Sequence, residues 1–175
     1  MNKRASNVMM ILLICSSLTS LFAQDRELKL KSMSIGAGFM GSSSETSIGG
    51  FAVSLDLSMM LDKHVFSLYL SDGAELDLVD AEEKYTELNL IYGRPINLNP
   101  WLKLEWHAGL GHFRYSYKSN ATDFVSNKES TIGVPLRAKL IFYTGRHIGI
   151  GINSNMNLNA LVNTYSGNIC LQYEF

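Results

Sequence analysis

Apolar residues alternate one by one with small or polar residues over long stretches of this chain, and this alternation restricts the fold more than any other feature. In the clearest stretch, every second residue from Phe51 to Leu61 is apolar, and Ala52, Ser54 and Asp56 lie between them. Because successive side chains of a β-strand point to opposite faces, the pattern predicts a strand with one apolar face. The pattern occurs eight times, beginning at Met33, Phe51, Phe66, Leu88, Leu102, Val134, Ile148 and Ile169.

The connections between these predicted strands alternate in length. Short connections follow the even-numbered strands, at residues 62–63, 94–100 and 144–146. Longer polar connections follow the odd-numbered strands, at residues 41–46, 72–83, 116–130 and 157–164. Bacterial outer-membrane barrels have an even number of strands, short periplasmic turns and longer outer loops. The order of connections therefore fits such a barrel with both termini in the periplasm.

The first 23 residues have the composition of a secretory signal peptide. Lys3 and Arg4 precede an apolar segment at residues 8–15, and the small residue Ala23 precedes the expected cleavage site. The apolar segment is too short to span a membrane as a helix. We therefore expect a cleaved signal peptide at residues 1–23 and one barrel domain at residues 24–175. The 15 basic and 16 acidic residues give no basic surface for nucleic acid, which is not an expected partner.

The composition of the polar face indicates which face points outward. A soluble lipocalin-like barrel has its apolar face inside, whereas a membrane barrel exposes it to lipid. The predicted polar face is rich in Gly, Ala and Ser and has few charges, unlike a surface in water. The narrow interior of an eight-stranded barrel is filled by side chains, and buried charges need partners. We therefore predict a polar cluster in the lumen, formed by Asp56, Glu87, Lys103, Glu105, His107, Arg137, Lys139 and Glu174.

Aromatic residues near the predicted strand ends and at the C-terminus agree with a membrane barrel. An interface girdle of aromatic side chains is predicted at Phe39, Phe51, Tyr92, Trp101, Phe142 and Tyr143. The final strand ends in a pattern that resembles the assembly signal of outer-membrane barrels, formed by Ile169, Leu171, Tyr173 and the terminal Phe175. Together with residues 133–140, it makes the chain resemble small outer-membrane β-barrel proteins of the OmpA/OmpX type, such as those of Bacteroidetes. The resemblance implies an all-β, eight-stranded antiparallel up-and-down transmembrane barrel, inserted by the outer-membrane assembly machinery.

The sequence contains no recognisable catalytic or metal-binding motif. The four histidines form neither an HExxH motif nor a pair two residues apart, and no Ser lies in a nucleophile motif. The three Gly-x-Gly segments lack the third Gly and the helix of a dinucleotide site. The six acidic residues at 72–83 are interpreted as a solvated loop, with binding of divalent cations as the alternative. No cofactor is therefore expected.

These observations predict an integral protein of the bacterial outer membrane with a structural or surface-interaction role and no catalysis. Its expected partners are outer-membrane lipid, lipopolysaccharide, the assembly machinery and an extracellular molecule that contacts the loops. Two alternatives remain open. One is a soluble periplasmic or secreted lipocalin-like barrel that binds an apolar ligand, and the other is a small channel or a barrel enzyme that acts on lipid.

Overall fold

The chain forms a closed barrel of eight antiparallel strands. A computed structural model describes residues 27–44, 49–75, 81–119 and 126–175, and the predicted signal peptide at residues 1–23 lies outside them. Each strand pairs with the next, and β8 pairs with β1 to close the barrel. The strands are β1 (Lys29–Ser42), β2 (Gly50–Leu61), β3 (His64–Glu75), β4 (Ala81–Asn99), β5 (Leu102–Ser119), β6 (Ser126–Tyr143), β7 (Ile148–Asn159) and β8 (Thr164–Glu174). The predicted fold class is confirmed.

The apolar side chains point away from the barrel axis. On β2, the side chains of Phe51, Val53 and Leu55 are 53%, 57% and 44% exposed, whereas Ala52 and Asp56 are 2% and 3% exposed. Exposed and buried residues alternate in this way on the other strands as well. The predicted orientation is therefore confirmed, and a lipocalin-like barrel with its apolar face inside does not agree with it. In the described residues, no helix is long and apolar enough to cross a membrane.

The two ends of the barrel differ in their connections. We call the end with the β2–β3, β4–β5 and β6–β7 connections the turn end, and the opposite end the loop end. At the turn end, residues 62–63 form the predicted tight turn, because Leu61 pairs directly with His64. Asp62 has a φ of 55°, in the left-handed region that Asp adopts more readily than most residues. Such a backbone conformation matches the twist of the two strands that the turn joins.

Several strands are longer than the alternation predicts. Residues 94–99 belong to β4, although they were predicted as part of a turn, and pairing with β5 continues to Asn99 through one irregularity. At the loop end, β3 extends to Glu75, β4 begins at Ala81, β5 extends to Ser119 and β6 begins at Ser126. The strand pairing depends on backbone hydrogen bonds, which continue where the side chains no longer alternate between apolar and polar. The hydropathy pattern therefore located the apolar middle of each strand and underestimated its length.

The aromatic girdle is present with one exception. The rings of Phe39 and Phe51 stack with centroids 5.3 Å apart, and those of Trp101 and Phe142 with centroids 5.9 Å apart. All four side chains are exposed on the outer surface. The prediction for Tyr143 is wrong, because this residue follows the outward Phe142 and its side chain points to the opposite face of β6. Its hydroxyl accepts a hydrogen bond of 2.7 Å from the buried side chain of Gln172.

Candidate functional site

The predicted polar cluster divides between the middle of the lumen and the turn end. Six of its eight members are at most 3% exposed and lie inside the barrel: Asp56, Glu87, Glu105, His107, Arg137 and Lys139. The other two, Lys103 and Glu174, lie at the turn end, where their side chains are 23% and 21% exposed. Both oxygens of Glu174 accept a hydrogen bond of 2.8 Å from the Lys103 ammonium. The structure therefore brings these two together, but apart from the buried six.

Asp56 forms an ion cluster that crosses the lumen. One oxygen of this β2 carboxylate, Oδ2, lies 2.9 Å from Nη2 of Arg137 and 2.9 Å from Nζ of Lys139, both on β6. The other oxygen accepts a hydrogen bond of 3.3 Å from the hydroxyl of Ser58. In a closed barrel of eight strands, β2 and β6 lie opposite each other, so these contacts connect the two walls. The guanidinium of Arg137 also lies over the ring of Tyr69, 4.8 Å from its centroid.

Glu105 extends this cluster to two further strands. Its carboxylate on β5 pairs with the ammonium of Lys31 on β1, the strand opposite. Its Oε2 atom lies 3.6 Å from Nζ of Lys139 and 3.8 Å from Nε2 of His107. Lys139 therefore lies between Asp56 and Glu105 and links both carboxylates. Loss of one partner from a buried ion pair strongly destabilises a folded protein, because the other charge is left buried without compensation. Each member of this cluster is therefore expected to be needed for stability.

Lys31 is the member of the cluster that the sequence did not reveal. The alternation at Met33 and Ile35 places residue 31 on the outer face, yet its side chain is 4% exposed and lies inside. The cause is a register shift between Leu30 and Ser32 in the pairing of β1 with β2. Such a β-bulge inserts one residue and breaks the period of two. Lys31 and Ser32 consequently both lie inside the barrel.

Glu87 has a different environment from the other two buried carboxylates. Its Oε2 atom accepts hydrogen bonds from the side-chain amides of Asn89, at 3.0 Å, and Asn157. Its Oε1 atom accepts a hydrogen bond of 2.7 Å from the side-chain amide of Asn155. Asp56, Glu87 and Glu105 are thus three of the buried carboxylates among the described residues, and Lys31, Arg137 and Lys139 are buried basic side chains. Of these three carboxylates, Asp56 and Glu105 contact the basic side chains, whereas Glu87 is bound by amides.

A cluster of buried apolar side chains lies in the lumen near its loop end. Met40, Ala52, Tyr85, Phe113 and Val162 form a buried cluster, and the rings of Tyr85 and Phe113 stack with centroids 5.9 Å apart. Aromatic pairs of this kind add stability beyond the burial of their area. This cluster was missed because the predicted alternation began too late on the fourth strand and ended too early on the fifth strand to include residues 85 and 113.

The acidic segment at residues 72–83 is not one solvated loop. Asp72 lies on β3 and points outward, where its Oδ2 accepts a hydrogen bond of 2.7 Å from the hydroxyl of Thr86. Glu83 lies on β4, is 1% exposed, and accepts a hydrogen bond of 3.1 Å from the hydroxyl of Ser42. Residues 76–80, with Asp77 and Asp80, lie outside the described residues. Within the part of the chain that the structure describes, no group of three or more His, Cys, Asp or Glu side chains could hold a metal ion.

The residues of the predicted assembly signal lie on the outer surface at the barrel closure. Ile169, Leu171 and Tyr173 point outward from β8, which pairs with β1. The terminal Phe175 is 57% exposed, and its ring lies 5.2 Å from that of Tyr173 in an edge-on arrangement. The backbone N–H of Phe175 donates a hydrogen bond of 3.0 Å to the carbonyl of Lys31. These four side chains are thus accessible from the side of the barrel.

Comparison with solved structures identifies the class of fold. No family model and no curated protein matches the sequence. Neisserial surface protein A is similar in structure, with a TM-score of 0.72 and 11% identity over 85% of this chain and 99% of that chain. Ail, the attachment invasion locus protein of Yersinia pestis, gives a TM-score of 0.60 and 15% identity over 84% of this chain and 99% of that chain. The N-terminal β-barrel domain of Pseudomonas aeruginosa OprF gives a TM-score of 0.55 and 15% identity over 85% of this chain and 100% of that chain.

These similarities confirm the resemblance to small outer-membrane barrels at the level of the fold. Ail is an outer membrane protein of Yersinia pestis, and its backbone structure in a phospholipid bilayer nanodisc is also similar to this chain. That comparison gives a TM-score of 0.50 and 17% identity over 84% of this chain and 100% of that chain. The chain therefore has the eight-stranded fold of the small outer-membrane barrels. The nearly complete coverage of the compared chains means that the likeness extends over the whole barrel.

Proposed function

We propose that this chain is an integral protein of the bacterial outer membrane with a structural or surface-interaction role and no catalytic activity. The observation that carries the proposal is the apolar outer surface of the barrel. In the middle of the strands, Leu55, Leu57 and Leu68 are 44%, 40% and 50% exposed, and apolar residues of the neighbouring strands surround them. A continuous apolar surface of this size is unfavourable in water. Hydrocarbon would cover it, and the closed sheet leaves no unpaired strand edge in lipid.

The charged lumen supports a structural role rather than a channel. The contacts of Asp56 with Arg137 and of Glu105 with Lys31 join opposite walls in the middle of the barrel. In an eight-stranded barrel the interior is only wide enough for side chains. These ion pairs occupy the path that water or a solute would take, so the barrel acts as an anchor. An extracellular partner would then contact the loop end of the barrel.

The arrangement also supports two partners in the membrane. Outer-membrane lipid and lipopolysaccharide would surround the apolar surface. The assembly machinery would recognise the exposed side of β8, where Ile169, Leu171, Tyr173 and Phe175 lie on the outer surface. Because β8 pairs with β1, recognition of this strand is compatible with barrel closure as the last step of insertion.

Introducing a charge in the middle of the outer surface tests the proposal. Leu55 pairs with Ile35 on β1 and with Leu70 on β3, so Leu55→Arg places a cation among apolar side chains. We expect a loss of about 2–4 kcal/mol in folding free energy, the typical cost of Arg at the midplane of a bilayer. The measurement is the yield of protein in the membrane fraction, together with the difference in gel migration between heated and unheated samples.

Leu28→Arg is the matched control for this experiment. Leu28 is 43% exposed and precedes β1, so it lies beyond the paired part of the barrel. The cost of a charge falls to about 0–1 kcal/mol near the membrane interface. Wild-type membrane yield and migration for Leu55→Arg would contradict the proposal, as would recovery of the wild-type protein in the soluble periplasmic fraction without detergent.

A further inference from the structure

The connection between β7 and β8 sends one apolar side chain into the barrel. This residue, Val162, is 7% exposed and belongs to the buried apolar cluster with Met40, Ala52, Tyr85 and Phe113. Because Met40 on β1 and Phe113 on β5 come from opposite walls, the cluster crosses the lumen. The other four members lie on strands, whereas Val162 lies in a connection. A side chain from this connection therefore completes an apolar layer inside the barrel.

Hydrogen bonds of Asn159 hold this connection in one compact turn. Its Oδ1 atom accepts hydrogen bonds from the backbone N–H groups of Leu161, at 2.9 Å, and Val162, at 3.0 Å. Its Nδ2 atom donates a hydrogen bond of 2.7 Å to the carbonyl of Val162, and its backbone N–H donates one of 3.1 Å to Oδ1 of Asn163. Asparagine side chains commonly stabilise turns in this way. Residues 159–163 therefore form one unit, which we call the lid.

Hydrogen bonds at both ends attach the lid to the barrel. The backbone N–H of Ser43 donates a hydrogen bond of 2.8 Å to the carbonyl of Asn163, whose own N–H donates one of 3.1 Å to Oγ of Ser43. These bonds lie just beyond the last residue pair of β1 with β8, so they can break without disturbing the sheet. At the other end, Nδ2 of Asn159 donates a hydrogen bond of 3.2 Å to Oδ1 of Asn157, which in turn donates to Glu87.

The section of the lumen below the lid is polar. Ser166 lies on β8, the strand that follows the lid, and pairs with Met40 of the apolar cluster and with Asn155. Asn155 and Asn168 are 5% and 1% exposed, and within the described part of the chain their Oδ1 atoms accept no hydrogen bond. A buried polar atom without a partner costs free energy that contact with water would recover. Opening of the lid would therefore offset part of the cost of exposing Val162.

We propose that the lid is a movable closure of the loop end of the lumen. In the closed state, Val162 completes the apolar layer and excludes polar solutes from Ser166 and Asn155. In the open state, the bonds to Ser43 break, Val162 leaves the layer, and water and small polar solutes enter. The ion cluster of Asp56 still fills the middle of the barrel, so the open state is a pocket rather than a channel. The inference goes beyond the anchoring role and does not depend on the membrane location, because all these contacts lie within the barrel.

The test measures how fast a thiol below the lid reacts. In the folded barrel in detergent, Ser166→Cys supplies this thiol, and Cys170→Ser removes the buried thiol already present. The reagent is 2-(trimethylammonium)ethyl methanethiosulfonate, a small cation that forms a disulfide with an accessible thiol and releases methanesulfinate. Thr144→Cys in the same background supplies an exposed reference thiol at the turn end. We expect the thiol at position 166 to react about 100-fold more slowly than the reference, since a closed segment reacts only while it is open.

Two lid variants should raise this rate while the barrel stays folded. Asn159→Ala removes the side-chain bonds to the backbone of Leu161 and Val162, and the loss of two hydrogen bonds of ordinary strength corresponds to a rise of about 20-fold. Val162→Ala removes two buried methyl groups and keeps these hydrogen bonds, so we expect a rise of about tenfold. Gel migration of unheated samples establishes that each variant is folded, and Val162→Ala decides the test if Asn159→Ala does not fold.

Two controls separate opening of the lid from general loosening of the barrel. Ala160→Ser changes an exposed side chain of the same connection and should alter the rate by less than about twofold. The thiol of Cys170, measured in the barrel without Ser166→Cys, lies four residues further toward the turn end, or about 13 Å along the strand. It should stay unreactive when Asn159→Ala opens the lid.

Four outcomes would overturn the inference. If the thiol at position 166 reacts as fast as the exposed reference under the wild-type lid, the loop end is not closed. If folded lid variants react no faster than the wild type, or if Ala160→Ser raises the rate as much as they do, the lid does not provide the protection. If Cys170 becomes as reactive as the thiol at position 166, the whole barrel opens and not the lid. None of these results affects the proposed membrane location, which Leu55→Arg and fractionation test separately.

Discussion

Three buried carboxylates in the middle of the lumen are compensated in two different ways. Asp56 and Glu105 contact basic side chains from opposite strands, with Lys139 between them. Glu87 is equally buried, but its hydrogen bonds come from the side-chain amides of three asparagines. The first arrangement compensates charge with charge, and the second compensates it with dipoles. The same barrel therefore allows the two ways of compensating a buried carboxylate to be compared directly.

The difference between the two environments lies in how well each adapts to a neutral side chain. Arg and Lys only donate hydrogen bonds and keep their charge, so they need an anion nearby. An amide both donates and accepts, and rotation by 180° exchanges the two functions. Among the described residues, the Oδ1 atoms of Asn89 and Asn155 have no hydrogen-bond partner. They can accept from a new donor at position 87, whereas Arg137 and Lys139 have no such option at position 56.

The largest effect is expected when Asp56 loses its charge. In Asp56→Asn, the side-chain oxygen can still accept from Arg137 and Lys139, and the new amide can donate to Ser58, so the hydrogen bonds can be kept. The buried cations nevertheless lose half of their compensating charge. Removal of one partner from a buried ion pair typically costs about 3–5 kcal/mol, and we expect a loss in this range. The measurement is urea-induced unfolding of the protein in lipid vesicles.

Asp72→Asn is the matched control for this substitution. It makes the same chemical change at an outward carboxylate that accepts one hydroxyl hydrogen bond from Thr86. A surface substitution of this kind typically changes stability by at most about 0.5 kcal/mol. If the two variants unfold at the same urea concentration, the cluster around Asp56 contributes nothing specific, and the comparison between the two kinds of carboxylate loses its basis.

A smaller effect is expected when the same change is made at Glu87. In Glu87→Gln, the retained oxygen can still accept from Asn89 and Asn157. The new amide faces Asn155, whose side chain can rotate and accept instead of donating. We therefore expect a change within about 1 kcal/mol of the wild type, the size of a single hydrogen bond. Urea unfolding under the conditions used for Asp56→Asn measures the difference directly, and equal losses would show that amides are no more adaptable than cations.

The sequence predicted which side chains enter the lumen better than it predicted their partners. The alternation alone placed Asp56, Glu87, Glu105, Arg137 and Lys139 inside, and all five are buried. Their partners could not be predicted, because contacts across a barrel depend on its closure and on the stagger of opposite strands. Neither quantity is a local property of a strand. The asparagines around Glu87 were on the predicted inner face or just beyond it, but nothing in the sequence connects β4 with β7.

Local irregularities account for the remaining errors. The bulge before Ser32 reversed the expected direction of Lys31, and a bulge leaves little trace in a hydropathy pattern. The long strands β4, β5 and β6 extend past their apolar segments, so Glu83 was assigned to a loop although it lies inside the barrel. Both errors arise toward the two ends of the barrel, where backbone pairing continues but the apolar–polar alternation of the side chains does not.

The smallest effect is expected at the turn end, where an ion pair is partly open to solvent. Lys103 contacts both oxygens of Glu174 at 2.8 Å and lies over the ring of Tyr143, 4.5 Å from its centroid. Because both charged side chains remain partly exposed, water and salt screen their attraction. We expect Lys103→Gln to cost about 0.2–1 kcal/mol, and the cost should shrink further in high salt.

Lys139→Gln completes this last test, because it removes the same kind of charge from the buried cluster. Its side chain is 1% exposed and contacts both Asp56 and Glu105, so its loss leaves two carboxylates with less compensation. Its cost should be several times that of Lys103→Gln and should depend little on salt, since water does not reach the cluster. Equal costs and equal salt dependence for the two variants would mean that burial does not distinguish the lumen from its end. The difference between Asp56 and Glu87 would then have to come from their partners, which are cations for Asp56 and amides for Glu87, and not from burial.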